Sequence, residues 1–377
     1  MAKYKFSDIA ENITEKGVPA PGDEKMYIGL EHLDSGSLKV TRWGSDVPIK
    51  GQKLIMHKGD ILFGRRNTYL RRAAVAPHDG FFSAHGMIFR PKTKVIDPEY
   101  FPFFISSAYF MDEAIRISVG SLSPTVNWKT LKDLEFGLPD MEEQKKLAEI
   151  LSAANEAKEA YRDLINKTDM LVKSHFIEMF GRPGFDDKGW GLTKLDECCI
   201  LNPRRPKDIP EDINVSFVPM PAVSEDGHID LSEKRSYKEV KTGFTYFGEK
   251  DVLFAKITPC MENGKGAVAE NLENKIGAGS TEFHVLRPIE GKSNPYWLYT
   301  ITMFKAFRIN ARKVMTGTGG QLRVPIAYLK DYTISLPPIE LQDEFELFYR
   351  QSDTAKNELR QALSDVDSVI NSLMKRS

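Results

Sequence analysis

The sequence predicts an α+β protein made of two similar mixed domains, each ending in a long helix, related by a pseudo-twofold internal repeat. Three observations carry this. Leu131-Lys132-Asp133, Leu138-Pro139 and Gln144 recur in the same order as Leu329-Lys330-Asp331, Leu336-Pro337 and Gln342, each 198 positions on. In both copies an alternating pattern gives way, across a proline, to apolar residues at three-four spacing. The helical stripes are also in register: Leu147, Ile150, Ala157, Tyr161 and Ile165 map onto Phe345, Phe348, Ala355, Leu359 and Leu363 at the same offset. A period this long is no solenoid unit; it means two related domains.

In the first copy Leu134, Phe136 and Leu138 alternate with Asp133, Glu135 and Gly137, the pattern of a half-buried strand. Pro139 stops it, and Asp140 with Glu143 fits an N-cap and capping box. The helix ends at Gly181-Arg182-Pro183-Gly184. In the second copy Tyr332, Ile334 and Leu336 precede Pro337-Pro338 and another helix. A helix of ~38 residues is roughly 57 Å long, more than one compact domain needs. Each stripe wants a partner along its length, and the other helix is the cheapest one. The pairing residues expected are Leu147, Ile150, Ala154, Tyr161 and Leu164 against Phe345, Phe348, Leu359, Leu363 and Ile370. The alternative is that each helix packs only on its own domain. The boundaries read as 1–139, 140–182, 183–338 and 339–377.

With 377 residues the chain can bury a full core in each domain. No apolar run approaches the ~20 residues of a membrane span. The start, Met1-Ala2-Lys3-Tyr4-Lys5-Phe6, has no signal-like apolar region. Cys198, Cys199 and Cys260 suit a reducing cytoplasm, not a disulfide framework. The net charge of −1 hides a division. Residues 3–138 hold 19 Lys+Arg against 16 Asp+Glu, and residues 190–338 hold 20 against 18, whereas residues 339–377 hold 5 against 8. Mildly basic domains with acidic helices permit local anion-binding patches without a broad basic footprint.

Along the chain, Met26–Leu30 and Asp60–Phe63 read as strands, with further strands ending at Arg90-Pro91. Residues 100–117 are aromatic-rich and helical in period, followed by the loop Gly120-Ser121-Leu122-Ser123-Pro124-Thr125. The second half repeats the order. Asp251-Val252-Leu253-Phe254 echoes Asp60-Ile61-Leu62-Phe63, Arg287-Pro288 echoes Arg90-Pro91, and Tyr296-Trp297 opens a second aromatic helix. Gly317-Thr318-Gly319-Gly320 replaces the Ser-rich loop. Residues 186–189 and 202–210 are boundary loops.

On this duplicated order the whole chain resembles the specificity subunit of Type I restriction-modification systems. The resemblance implies two target-recognition domains, each reading half of a bipartite and asymmetric site on double-stranded DNA. It implies that the long helices pair as an antiparallel two-helix coiled coil, a spacer between the domains. It also implies that this chain is not an enzyme and binds no cofactor itself. Two modification subunits using S-adenosylmethionine, and restriction subunits using ATP and Mg, are the partners implied, with no membrane. Two related domains on a rigid rod can read half-sites one helical turn or more apart, ~34–36 Å.

The densest basic stretch of the first domain is 63–72, where Arg65, Arg66, Asn67, Tyr69, Arg71 and Arg72 suit phosphate clamping and base-edge readout. A solvated surface is the plainer reading. The equivalent stretch, 255–265, offers Lys256, Asn263 and Lys265 and is less basic, and Asn263-Gly264 is also hairpin-turn chemistry. Arg308, Arg312, Lys313, Thr316, Gln321 and Arg323 surround the Gly-rich loop, whose amides can approach a phosphate. Ser121 marks the matching loop of the first half. A flexible connector is the competing reading for both loops.

Signs of chemistry are few. The seven histidines lack metal-ligand spacing. Neither Asn294-Pro295-Tyr296 nor Leu336-Pro337-Pro338 completes an adenine-methyltransferase tetrapeptide. Asp251 with Glu273 and Lys275 mimics a Mg-dependent nuclease, the first alternative function. A DNA-independent coiled-coil adaptor is the second.

Overall fold

The computed structural model describes residues 2–318 and 320–376, with no side-chain description for residues 375 and 376. It divides into two compact units: Met1–Asp163 with Leu359–Ser377, and Leu164–Glu358.

The first unit holds a four-stranded antiparallel sheet in the order Ala10–Ile13, Met87–Pro91, Ile61–Phe63, Ala73–Val75. A second sheet runs Lys16–Gly17, Lys53–Met56, Gly80–Phe82, Tyr27–Ile28, its last pair parallel. Ala2–Lys5 pairs with Glu135–Leu138, so the alternating stretch before Pro139 is a strand as predicted. Phe6 is fully buried among the rings of Phe89, Phe110, Trp128 and Phe136. The aromatic stretch after residue 100 is two helices, Phe101–Ser106 and Ala108–Arg116. They break at Ser107, whose hydroxyl caps the second by accepting from Phe110 N–H.

The second unit repeats this frame. Its sheets run Cys199–Leu201, Phe283–Pro288, Val252–Ala255, Gly266–Val268, and Lys234–Ser236, Asn214–Val218, Ile276–Gly279, Thr245–Gly248. Leu192–Lys194 pairs with Thr333–Ser335. The aromatic helix is again split, into Pro295–Met303 and Lys305–Lys313.

Two motifs recur atom for atom. Asp60 holds Arg90 through two hydrogen bonds of 2.6 and 3.0 Å, and Asp251 holds Arg287 through two of 2.8 and 2.7 Å. Gln144 Oε1 accepts from Asp97 N–H at 2.8 Å, while its Nε2 donates to the Val95 and Pro139 carbonyls. Gln342 does the same with Asn294 N–H at 2.9 Å and the Lys292 and Pro337 carbonyls. Both glutamines are buried. They dock the start of each long helix into its unit and satisfy backbone groups that the proline break leaves unpaired.

The long helices are Met141–Phe180 and Ile339–Arg376. Asp140 caps the first by accepting from Glu143 N–H at 2.9 Å, and Gly181 ends it with φ 77°. In the first unit Ala148 and Leu151 share a core with Ile370, Leu373 and Met374. In the second unit Val172 and Phe176 share a core with Phe345 and Tyr349. Segments of both helices therefore meet within each unit, and the early part of one lies with the late part of the other, as antiparallel pairing requires. The seam differs from the predicted one. Ile150 and Leu164 are 51% and 46% exposed, whereas Lys158 and Lys356 are buried. Ala154, Tyr161, Phe348, Leu359 and Leu363 are half-buried, and Phe345 is fully buried. Leu147 and Ile370 pack partly buried on the first core.

Asp251, Glu273 and Lys275 do not assemble a metal site. The Asp251 carboxylate is fully buried, taken up by Arg287 and by the Gly248 N–H at 2.7 Å. Glu273 pairs instead with Lys234 at 2.5 Å. Among the described residues no cluster of three His, Cys, Asp or Glu side chains could hold a metal, and no helix is long and apolar enough to cross a membrane.

Candidate nucleic-acid interface

In the first unit the Arg-rich stretch connects strand Ile61–Phe63 to strand Ala73–Val75. The Ser-rich loop is closed by mutual hydrogen bonds between Val119 and Thr125, at 3.1 and 2.9 Å. The fold lays these two segments side by side. Asn67 N–H donates to Pro124 O at 2.8 Å, Val126 N–H to Arg65 O at 3.0 Å, and Arg66 Nη2 to Ser123 Oγ at 3.4 Å.

The side chains at this junction divide into anchored and open ones. Arg71 is ion-paired with Asp112, and Arg72 Nη1 donates to Leu30 O at 2.8 Å. Burial pulls the Arg72 pKa down. Arg66, Tyr69 and Ser121 are exposed. Arg65 Nε, Asn67 Oδ1 and Arg72 Nε are buried without a hydrogen-bond partner. Asn67 and Arg71 also have left-handed backbone, φ 54° and 49°. Left-handed backbone and buried polar atoms without partners thus gather in one short loop. Leu122, 96% exposed at the loop tip, was not singled out by its sequence pattern.

The second unit makes the same junction from different residues. Stretch 256–265 connects strand Val252–Ala255 to strand Gly266–Val268. The Gly-rich segment is a hairpin, Thr316–Thr318 against Gln321–Arg323, and Gly319 lies outside the described residues. A Cβ at Gly317 would stand 2.4 Å from Gln321 O, so only glycine allows the two strands this close. Val324 N–H donates to Lys256 O at 2.8 Å and Thr258 N–H to Leu322 O at 2.9 Å. Val324 and Lys256 thus repeat the contact of Val126 and Arg65.

Here two of the cations face carboxylates. Arg323 is bound by Glu282 at 2.7 Å, and exposed Arg312 lies 3.6 Å from Glu262. Lys265 Nζ donates to Met220 O at 3.3 Å, and Lys313 to Asn310 at 3.3 Å. Burial pulls the Lys256 pKa down against the pull of Glu282. Asn263, Thr316 and Gln321 are exposed. Arg308 is a correction: it does not face the loop's outer surface. It is 7% exposed, donates to the Met261 and Gly264 carbonyls, and its pKa is pushed to about 10 by desolvation. It props stretch 256–265 from beneath.

A sequence model of the Type I restriction modification DNA specificity domain matches residues 3–167 and 187–365, which is most of the chain. The chain belongs to this family. The two matched stretches follow the two copies of the repeat. The EcoAI specificity subunit of Escherichia coli is 35% identical over 184 residues, 48% of this chain and 31% of that protein. The EcoEI specificity subunit of the same organism is 37% identical over 153 residues, 40% of this chain and 25% of that protein. The matched segment spans less than a third of either relative. A solved chain from work on complex assembly and conformational transition of the type I R-M system shares the specificity-domain fold. It has a TM-score of 0.51 at 15% identity, with 100% of this chain and 96% of that one covered.

Proposed function

We propose that this chain reads double-stranded DNA as the non-catalytic specificity subunit of a type I restriction-modification complex. One observation carries the reading. The same two segments meet in each unit on the same backbone contact, made by Val126 and Arg65 in one and Val324 and Lys256 in the other, while the polar side chains around it differ. A shared frame with different reading groups suits a bipartite, asymmetric site, one half per unit. The paired long helices serve as the spacer element. Two modification subunits that methylate adenine with S-adenosylmethionine dock on the chain, and restriction subunits using ATP and Mg join them. Arg65, Arg66, Asn67, Tyr69, Arg71, Arg72 and Ser121 form the first reading surface. Lys256, Asn263, Lys265, Arg312, Lys313, Thr316, Gln321 and Arg323 form the second.

The test is to express the chain with modification subunits in a host lacking such a system and to map methylated adenines across the genome. One new bipartite motif with unlike halves is expected. No new motif, or a motif with two identical halves, contradicts the proposal.

A further inference from the structure

The internal repeat sorts contacts into two kinds. A contact that the frame requires recurs in both copies, as Asp60–Arg90 and Asp251–Arg287 do. The ion pair between Arg323 and Glu282 does not recur. At the offset that carries Val126 onto Val324, Arg323 corresponds to Thr125. At the offset that carries Arg90-Pro91 onto Arg287-Pro288, Glu282 corresponds to His85. The backbone bridge is nevertheless the same in both units, Arg66 to Thr125 and Ile257 to Arg323. The frame does not need this ion pair.

Its geometry is specific. Arg323 Nε donates to Glu282 Oε2 at 2.9 Å and Nη2 to Oε1 at 2.7 Å, while Nη1 donates to Gln321 O at 3.1 Å. Glu282 is itself held, its N–H donating to Ser280 Oγ at 3.2 Å and its carbonyl accepting from Lys256 N–H at 2.9 Å. A guanidinium has five N–H donors in one plane. Three are used here, two by Glu282 and one by Gln321. Two remain, one on each terminal nitrogen, and the side chain is 40% exposed. A fixed pair of coplanar donors matches the O6 and N7 acceptors of guanine in the major groove.

We infer that Arg323 is a guanine-reading side chain of the second unit, and that Glu282 is the positioning residue that aims it. The inference rests on the DNA reading proposed above. An ion pair this exposed adds little to stability, so aiming and folding can be separated.

Selection from a randomised duplex pool by the full-length chain tests it. Wild type should enrich guanine at one position of one half-site. Arg323→Ala and Arg323→Lys should both lose that preference by about tenfold or more, since lysine cannot supply two coplanar donors. Glu282→Gln should weaken the same preference several-fold, with the melting temperature and the other half-site unchanged. Guanine preference kept at wild-type strength in Arg323→Lys or in Glu282→Gln overturns the inference, and so does relaxation of both halves by Glu282→Gln. If the wild-type pool stays random and Arg65→Ala with Arg66→Ala leaves affinity unchanged, the DNA reading fails with it. If the arginine pair matters and Arg323 does not, only the inference fails.

Discussion

Lys356 donates to Asp169 across the paired long helices of the second unit, Nζ to Oδ1 at 3.0 Å. The first unit holds the same pair in exchanged order: Lys158, 198 positions before Lys356, donates to Asp367, 198 positions after Asp169. Each helix therefore contributes one lysine and one aspartate at equivalent places, as an antiparallel pair of repeated helices demands. The lysines are buried, while Asp169 and Asp367 keep side-chain exposures of 38% and 41%. A charge inside an otherwise apolar seam is a device for fixing register.

This asymmetry of burial predicts an asymmetry of mutants. Asp169→Ala strands a buried ammonium, with Asp353 at 3.5 Å and the Tyr349 ring at 5.8 Å in partial compensation, and should cost about 3 kcal/mol. Lys356→Met strands only a partly solvated carboxylate and should cost less than about 1 kcal/mol. Urea unfolding of the four single variants, including Asp367→Ala and Lys158→Met, checks the order.

Gln342→Ala should cost about 3 kcal/mol, because one N–H and two carbonyls lose their partner in a buried place. Gln144→Ala should match it, since its three contacts are the same. Equal losses in thermal unfolding are expected; a large loss from one glutamine alone would contradict the equivalence of the two copies.

Asp251→Ala leaves the Arg287 guanidinium without its partner and should destabilise by about 3–5 kcal/mol. The effect belongs to folding, so Asp60→Ala should behave alike. DNA cleavage by the isolated chain that Asp251→Ala abolishes without loss of stability would instead restore the nuclease alternative.

His284 links the second unit to pH. Its Nε2 donates to Val324 O at 2.8 Å, and its Nδ1 faces the Asn202 amide nitrogen at 3.3 Å. Val285 N–H donates to Asn202 Oδ1, so the amide turns its N–H toward the ring. Protonation would set N–H against N–H. Burial, with Lys256 nearby, holds the pKa below 6.5 despite Glu282. The folded state thus disfavours the proton that the unfolded chain accepts. The stability from neutral His284 is complete above about pH 6.5 and is lost as pH falls through the lower folded value. Melting curves from pH 8 to 5 should show the decline, and His284→Gln should flatten it.

The frame was legible because its signals are short and local. The alternation after each Leu-Lys-Asp, the Leu-Pro break and the Gln predict strand, break and helix twice, and the structure has strands at Glu135–Leu138 and Thr333–Ser335, while Leu131 and Leu329 sit in short helices that the pattern does not announce. The echo of Asp60 in Asp251 and of Arg90 in Arg287 was visible too, but their pairing is a long-range contact that no local pattern carries. An apolar stripe at helical spacing includes Ile150 and Leu164, which are exposed, and leaves out Lys158 and Lys356, whose long stems and buried ammonium groups occupy the seam. In sequence Arg308 reads as a surface cation, because a single arginine gives no sign of the carbonyls it will meet. The meeting of stretch 63–72 with loop 119–125 depends on tertiary structure, and so do the orphaned atoms of Arg65, Asn67 and Arg72.

If one frame, used twice, reads two unlike half-sites, single substitutions must act on one half at a time. The measurement is the methylated motif of Arg66→Ala and, separately, of Lys256→Ala, each expressed with modification subunits. Arg66→Ala should relax base preference in one half only and Lys256→Ala in the other half only. Either variant relaxing both halves, or both variants relaxing the same half, would contradict it.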